Sequence, residues 1–117
     1  MVTLFLTKTL LKIIIMALDL TKKLDKIFHE RTRLGVMSIL MASHDEISFS
    51  ELAKKLELTR GNLSVHLKVL EDSGYIKSRK EFVNRKPHTT YYVTETGKKA
   101  FEEYLKLLEQ IIKNANL

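Results

Sequence analysis

Apolar residues recur along this chain with two different periods, and the points where the period changes mark its elements. Leu10, Leu11, Ile14, Ile15 and Leu18 fall at helical spacing. They predict an amphipathic N-terminal helix that covers apolar surface, in this chain or in a second copy. Residues 22–42 keep a helical pattern, with Leu24, Ile27 and Phe28 as one apolar patch and Leu34, Met37, Ile39, Leu40 and Met41 as another. The polar run 29–32 lies between the patches and is where a break between two helices is expected. Ser43, His44 and Asp45 read as a turn. Ile47 and Phe49 then alternate with polar neighbours, which predicts a short strand over residues 46–49.

From Ser48 the pattern becomes helical again. Ser48 and Glu51 have the spacing of a capping box, in which the hydroxyl accepts an orphan backbone N–H and the carboxylate reaches back. Leu52, Ala53 and Leu56 form the apolar face of that helix, and Glu57-Leu58 turns the chain. Thr59 is placed to cap a second helix, in which Leu63, Leu67 and Leu70 recur at i, i+4 and i+7. Gly74 ends it where a left-handed residue is needed. Helix, short turn, helix is the helix-turn-helix arrangement, whose second helix enters the DNA major groove. With the three leucines turned inward, Thr59, Arg60, Gly61, Asn62, Ser64, Val65 and Lys68 face outward or sideways. Asn62 has the chemistry to bond adenine bidentately, Arg60 and Lys68 to reach guanine or phosphate, and Val65 to meet a thymine methyl. Gly61 lacks a side chain near the helix start, so the backbone is free to approach a phosphate. His66 sits on the flank, divided between packing and base contact.

Residues 75–82 and 89–93 favour β structure. The run between them, Val83, Asn84, Arg85, Lys86, Pro87 and His88, is polar and basic and reads as the loop of a hairpin. Pro87 has no N–H to give a ladder, which places it in that loop. Asn84, Arg85, Lys86 and His88 are the candidate contacts of the tip. Thr94 caps a final helix over about residues 95–113, striped by Phe101, Leu105, Leu108 and Ile112.

Taken in order, ISFSELAKKLELTRGNLSVHLKVLEDSGYI, a basic hairpin and YYVTETGKKAF resemble the winged-helix transcriptional regulators grouped around MarR and ArsR, over residues 24 to 104. In such proteins the recognition helix closes in a Leu-Glu-x-x-Gly-type turn and the second wing strand leads into Thr-x-x-Gly. Here these are Leu70-Glu71-Asp72-Ser73-Gly74 and Thr94-Glu95-Thr96-Gly97. The resemblance implies a mainly α fold with a small β-hairpin wing, DNA binding, and a twofold dimer formed by extra N- and C-terminal helices. Glu57 departs from the glycine common at that turn. The absence of cysteine means that the thiolate metal sites of some ArsR relatives are not carried over.

Composition narrows the function further. The chain has 117 residues, a formal net charge of +6 and no cysteine. Disulfides, thiolate metal sites and cysteine nucleophiles are therefore excluded, and a cytoplasmic location fits. The positive charge favours polyanions and gathers between residues 59 and 91. His29, His44, His66 and His88 lack metal-ligand spacing, and no acid–base pair or phosphate-binding glycine loop emerges. The chain is thus expected to be no enzyme and to need no cofactor or metal.

Two regions are expected: an amphipathic extension over residues 1–20 and a winged-helix domain over 21–117. Lys8, Lys12 and Asp19 interrupt the N-terminal stretch, which argues against a membrane span and leaves surface anchoring as a minor reading. Met16 is an alternative start. The rival to a dimeric, sequence-specific regulator of double-stranded DNA is a winged helix used as a protein-interaction module. No residue pattern demands an effector pocket.

Overall fold

The computed structural model describes residues 2–43 and 45–115. Its elements run α1 (Val2–Lys22), α2 (Arg31–Ala42), β1 (Ile47–Ser48), α3 (Phe49–Leu56), α4 (Arg60–Asp72), β2 (Ile76–Val83), β3 (Lys86–Val93) and α5 (Glu95–Ala115). The strands form one antiparallel sheet in the order β1-β3-β2. This is the mainly α fold with a β-hairpin wing that the sequence pattern predicts. The expected turn at 43–45 includes His44, which lies outside the described residues; beside it, the Ser43 hydroxyl donates to the Asp45 carbonyl at 2.9 Å.

Capping side chains set most helix boundaries. Ser48 Oγ accepts the Glu51 N–H at 3.1 Å and opens α3. Thr59 Oγ1 accepts the Asn62 N–H at 3.2 Å and opens α4. Thr94 does more. Its hydroxyl accepts the Gly97 N–H at 3.0 Å and donates to the Gly74 carbonyl at 2.6 Å, tying the start of α5 to the end of α4. Gly97 is required there, because a Cβ would overlap the Tyr75 carbonyl group.

The helical pattern of 22–42 divides differently from the expectation. α1 ends at Lys22, residues 23–30 form turns, and α2 starts at Arg31. Glu30 is the reason: in an extended conformation its carboxylate accepts the Arg33 N–H at 2.8 Å and caps α2. The hairpin is also tighter than expected. β2 and β3 are joined by two residues, Asn84 (φ 52°) and Arg85 (φ 65°), and both lie in the left-handed region that a type I′ turn demands. Pro87 therefore belongs to β3, opposite Phe82. The turn closes on the Val83–Lys86 pair, so alternation makes Phe82–Pro87 a non-hydrogen-bonded pair. The proline nitrogen points away from β2, and β1, which pairs only with Thr90 and Tyr91, does not reach it.

The chain divides into two units. One holds Lys26–Phe101; the other unites the chain ends, up to Asp25 and from Glu102. In the first, α4 packs on α2 and β2, and Leu63, Leu67 and Leu70 are buried with Val36, Met37, Leu40, Leu52 and Ile76. Phe28 is fully buried, stacked on Tyr75 with ring centroids 4.6 Å apart and edge-on to Phe101 at 5.2 Å. Polar groups inside are paired: the Thr90 hydroxyl donates to Glu46 Oε2 at 2.7 Å. In the second unit Leu24 and Tyr104 are buried, whereas the α1 residues Leu10, Leu11, Ile14, Ile15, Met16 and Leu18 are each at least half exposed.

Glu57 ends α3 at φ 55°. A left-handed conformation costs an L-residue roughly 1–2 kcal/mol, and glycine gives back part of that gain through its looser unfolded state. Glu57→Gly should therefore raise stability by about 0.5–1 kcal/mol, read as a higher urea midpoint at unchanged slope.

Candidate nucleic-acid interface

The face of α4 opposite its buried leucines is polar and open. Thr59, Arg60, Gly61, Asn62, Ser64, Val65 and Lys68 are all exposed, and Val65 is 61% exposed. The wing residues Asn84, Arg85 and Lys86 are exposed and His88 is half-buried. The structure thus presents the recognition-helix candidates together on one helix and the wing candidates at and beside one turn.

Some of these residues also meet across the two elements. Arg60 and Ser64 of α4, Phe49 and Ser50 of α3, and Pro87 and His88 of β3 line one open crevice of about 300 Å³. In it the Arg60 guanidinium lies over the Phe49 ring, 4.6 Å from its centroid. That contact is worth about 0.5–1 kcal/mol at an exposed site, and its effect is to hold the guanidinium at the mouth of the crevice. Phe49 and Ser50 were not apparent as site residues from sequence. The signal for Phe49 is its place at the first turn of α3, but only the packing shows that it supports Arg60. Lys68 is set apart, two turns further along α4, where it pairs with Asp72 at 3.6 Å in a solvent-exposed contact.

His66, divided between two roles by sequence, is packed. Its side chain is 17% exposed, and Arg33 donates to its Nδ1 at 3.0 Å. Glu30 Oε2 lies 3.5 Å from the same nitrogen. One nitrogen does not accept from Arg33 and donate to Glu30 at once; the guanidinium has only donors, and its contact is shorter, so the ring nitrogen accepts. Arg33 is fixed in turn by its Nε–H to the Ile27 carbonyl at 2.6 Å. Burial acts to raise the Glu30 carboxyl, but N–H bonds from Arg33 and Thr32 and the nearby Arg33 charge outweigh it and hold it below the usual range. The result is a polar clamp between the start of α2 and the middle of α4.

The cations sort into two groups. Arg79 pairs with Glu46 at 3.2 Å, and Arg33 belongs to the clamp. Among the described residues, Arg60, Lys80, Arg85 and Lys86 have no carboxylate partner. Lys54, Lys55 and Lys77 have none either; what marks this surface is where its unpaired cations stand, Arg60 in the crevice and Arg85 and Lys86 at the wing tip.

Two positions here cost the fold stability without any internal reason. A Cβ at Gly61 would meet nothing within 4 Å, so packing does not require glycine there, and even in the first turn of α4 it costs part of the about 1 kcal/mol that glycine costs in a helix interior relative to alanine. Arg85 adopts φ 65° at a fully open turn, where glycine fits without the roughly 1–2 kcal/mol penalty. Among the described residues no group of acidic and histidine side chains could hold a metal ion.

Comparison with known proteins agrees with this geometry. A family model described as a winged helix DNA-binding domain matches residues 32–112. An uncharacterised protein of Methanocaldococcus jannaschii is 34% identical over 89 residues, 76% of this chain and 96% of that protein. The structure of a transcriptional regulator homologue from Pyrococcus horikoshii superposes with a TM-score of 0.76 at 33% identity, covering 85% of this chain and 99% of the other. HlyU from Vibrio cholerae gives a TM-score of 0.57 at 32% identity, covering 71% and 84%. The fold, the exposed helix face and these relatives converge: the chain belongs to the winged helix DNA-binding domain family.

Proposed function

We propose that this protein is a dimeric transcriptional regulator that reads double-stranded DNA by sequence, with α4 in the major groove and the wing on phosphates or the minor groove. The observation that carries this reading is the coincidence of unpaired cations with costly residues on one surface. Arg60, Arg85 and Lys86 have no carboxylate partner among the described residues, and Gly61 and Arg85 weaken the fold where an external backbone would approach. The likeness to a transcriptional regulator homologue at 33% identity supports it. Thr59, Ser64, Asn84 and His88 serve as hydrogen-bonding neighbours to the backbone, Asn62 reads adenine, and Val65 contacts a thymine methyl.

Dimer formation rests on the second unit. Leu10, Leu11, Ile14, Ile15 and Leu18 recur along α1 as a half-exposed apolar stripe, and Leu105 and Ile112 of α5 are exposed as well. Among the described residues no helix is long and apolar enough to cross a membrane. In a dimer formed by a second copy covering this stripe, reading a palindromic site needs the two recognition helices about one DNA turn, ~34 Å, apart. Residues 1–20 then act as an assembly element attached to the DNA-binding remainder, 21–117. The operator and the sense of regulation lie with the genes it controls, and a cytoplasmic location follows from the role.

Selection of bound duplexes from a random pool, followed by gel retardation, tests the reading. Arg60, Lys68, Arg85 and Lys86 amount to about eight phosphate partners in a dimer, so affinity should fall about 10³–10⁵-fold between 50 and 200 mM salt. Asn62→Ala should cost about 1–3 kcal/mol on selected sites and little on random DNA; equal loss on both rejects base reading by Asn62. A protein-interaction module would retain little duplex at moderate salt and enrich no sequence from the pool.

Arg85→Gly separates binding from stability. It should raise the unfolding midpoint by up to about 1 kcal/mol, because the strain disappears, and weaken binding to all duplexes alike. Ile14→Glu with Leu18→Glu should convert a dimer to a monomer in sedimentation equilibrium and lengthen the salt range over which DNA is lost; a dimer that survives both changes assembles elsewhere.

A further inference from the structure

We propose that Phe82 is an apolar wedge which the wing presses between base pairs in the minor groove, so that the protein bends the duplex it binds; this rests on the DNA-binding reading above. Phe82 is 79% exposed, more than any other large apolar side chain among the described residues. The fold makes no use of the ring: it lies one residue from the end of β2, on a stretch of the hairpin where residues 79 to 87 are all exposed.

Strand alternation fixes its direction. Ile76, Ser78, Lys80 and Phe82 share one face of the hairpin, with Pro87, Thr89 and Tyr91 across from them. Nearer the sheet, Pro87 and Thr89 of that face, with His88 of the other, line the crevice with Arg60 and Ser64 along the edge of β3. The Phe82–Pro87 pair therefore continues the surface that runs up from the open side of α4. Lys80 shares the face, and Arg85 and Lys86 stand around the turn, whereas Glu81 alternates to the opposite face.

This setting identifies the occupant. A second copy of a chain with net charge +6 would bring like charge against Lys80, Arg85 and Lys86; a duplex brings phosphates. The minor groove is about 6 Å wide, too narrow for a two-stranded ribbon whose strands alone lie about 4.8 Å apart before side chains are added. What enters is a side chain projecting from the tip. Phenylalanine is among the residues that unstack a base step and kink the helix towards the major groove, and flanking cations hold the phosphates on either side.

The test uses the full chain and a duplex recovered by selection, labelled at both ends for energy transfer and carrying 2-aminopurine at steps flanking each half-site. The wild-type protein should shorten the end-to-end distance and raise 2-aminopurine fluorescence. Phe82→Ala should lose both signals and about tenfold in affinity, with an unchanged salt slope. Phe82→Trp should keep the bend. Phe82→Lys steepens the salt slope by about two, one for each subunit, without restoring it. Phe82 is exposed, and circular dichroism checks that each variant is folded. If wild type and Phe82→Ala bend the duplex equally, or if wild type leaves it straight, the wedge is wrong while the regulator reading stands. If Phe82→Ala changes the sedimentation of the free protein and not the bend, the ring belongs to a contact between copies and the wedge is overturned. If the wild-type protein retains no duplex in dilute salt, both readings fall together.

Discussion

Leu63, Leu67 and Leu70 lie along the side of α4 that packs on α2 and β2, and because an α-helix turns about 100° per residue, sealing that side determines what the other side shows. Each buried leucine contributes about 1.5–3 kcal/mol relative to an exposed one. Rotating the helix by one position would expose that apolar area and bury Asn62 or Lys68 without partners, so the alternative rotations are far higher in free energy. The polar clamp adds a second constraint of a different kind. His66 leaves α4 sideways and is held by Arg33 at 3.0 Å, which pins the helix against the start of α2 by a directional contact where the leucines supply only area. Seam and clamp together leave one orientation, and in it Arg60, Asn62, Ser64 and Lys68 point outward.

The same logic extends to the wing through Thr94 and Gly97. The Thr94 hydroxyl bonds both the Gly74 carbonyl and the Gly97 N–H, so the chain leaving α4 and the chain leaving β3 are joined at one point. Gly97 allows backbone contact with Tyr75 that any side chain would block. The hairpin therefore springs from a fixed base. Beyond that base, the ladder, the turn and the exposed Arg79–Glu46 pair order it, since the stretch from Arg79 to Pro87 is exposed throughout. A two-stranded ribbon without a buried face is marginal in water, and this places the wing among the elements of lowest local stability.

Much of this was legible in the sequence because it is written in local chemistry. Ser48, Thr59 and Thr94 announce helix starts by type and position, and the leucine spacing in α4 gives both the helix and its inward face. What was not legible depends on an atypical cap, on partners distant in sequence or on the sidedness of a strand. Glu30 is not a typical capping residue, so the helix boundary at Arg31 appears only once its carboxylate is seen on the Arg33 N–H. Pro87 was read as a loop residue because proline breaks a ladder; the rule fails where the nitrogen faces away from the neighbouring strand, and that depends on a turn of two residues at positive φ. The support of Arg60 by Phe49 and the clamp on His66 join residues eleven and thirty-three positions apart, a separation that leaves no periodic trace.

Among the described residues, three other than glycine hold positive φ, and their placement separates structural strain from functional strain. Glu57 terminates α3, where its N–H reaches the Ala53 and Lys54 carbonyls; the conformation is needed by the helix-turn-helix turn, and the side chain adds nothing visible to it. Asn84 and Arg85 make the turn of the wing. Asparagine tolerates the left-handed region through its short polar side chain. Arginine has no such compensation, and its long side chain would suit a helix better than a turn. The penalty at Arg85 is of the same size as that at Glu57, yet it falls on the least stable element, where it does most harm. A guanidinium held at the extreme tip of a basic ribbon, without a carboxylate partner among the described residues, is accounted for by an anion that approaches from outside, and the phosphates of a duplex offer such anions at the spacing of a groove.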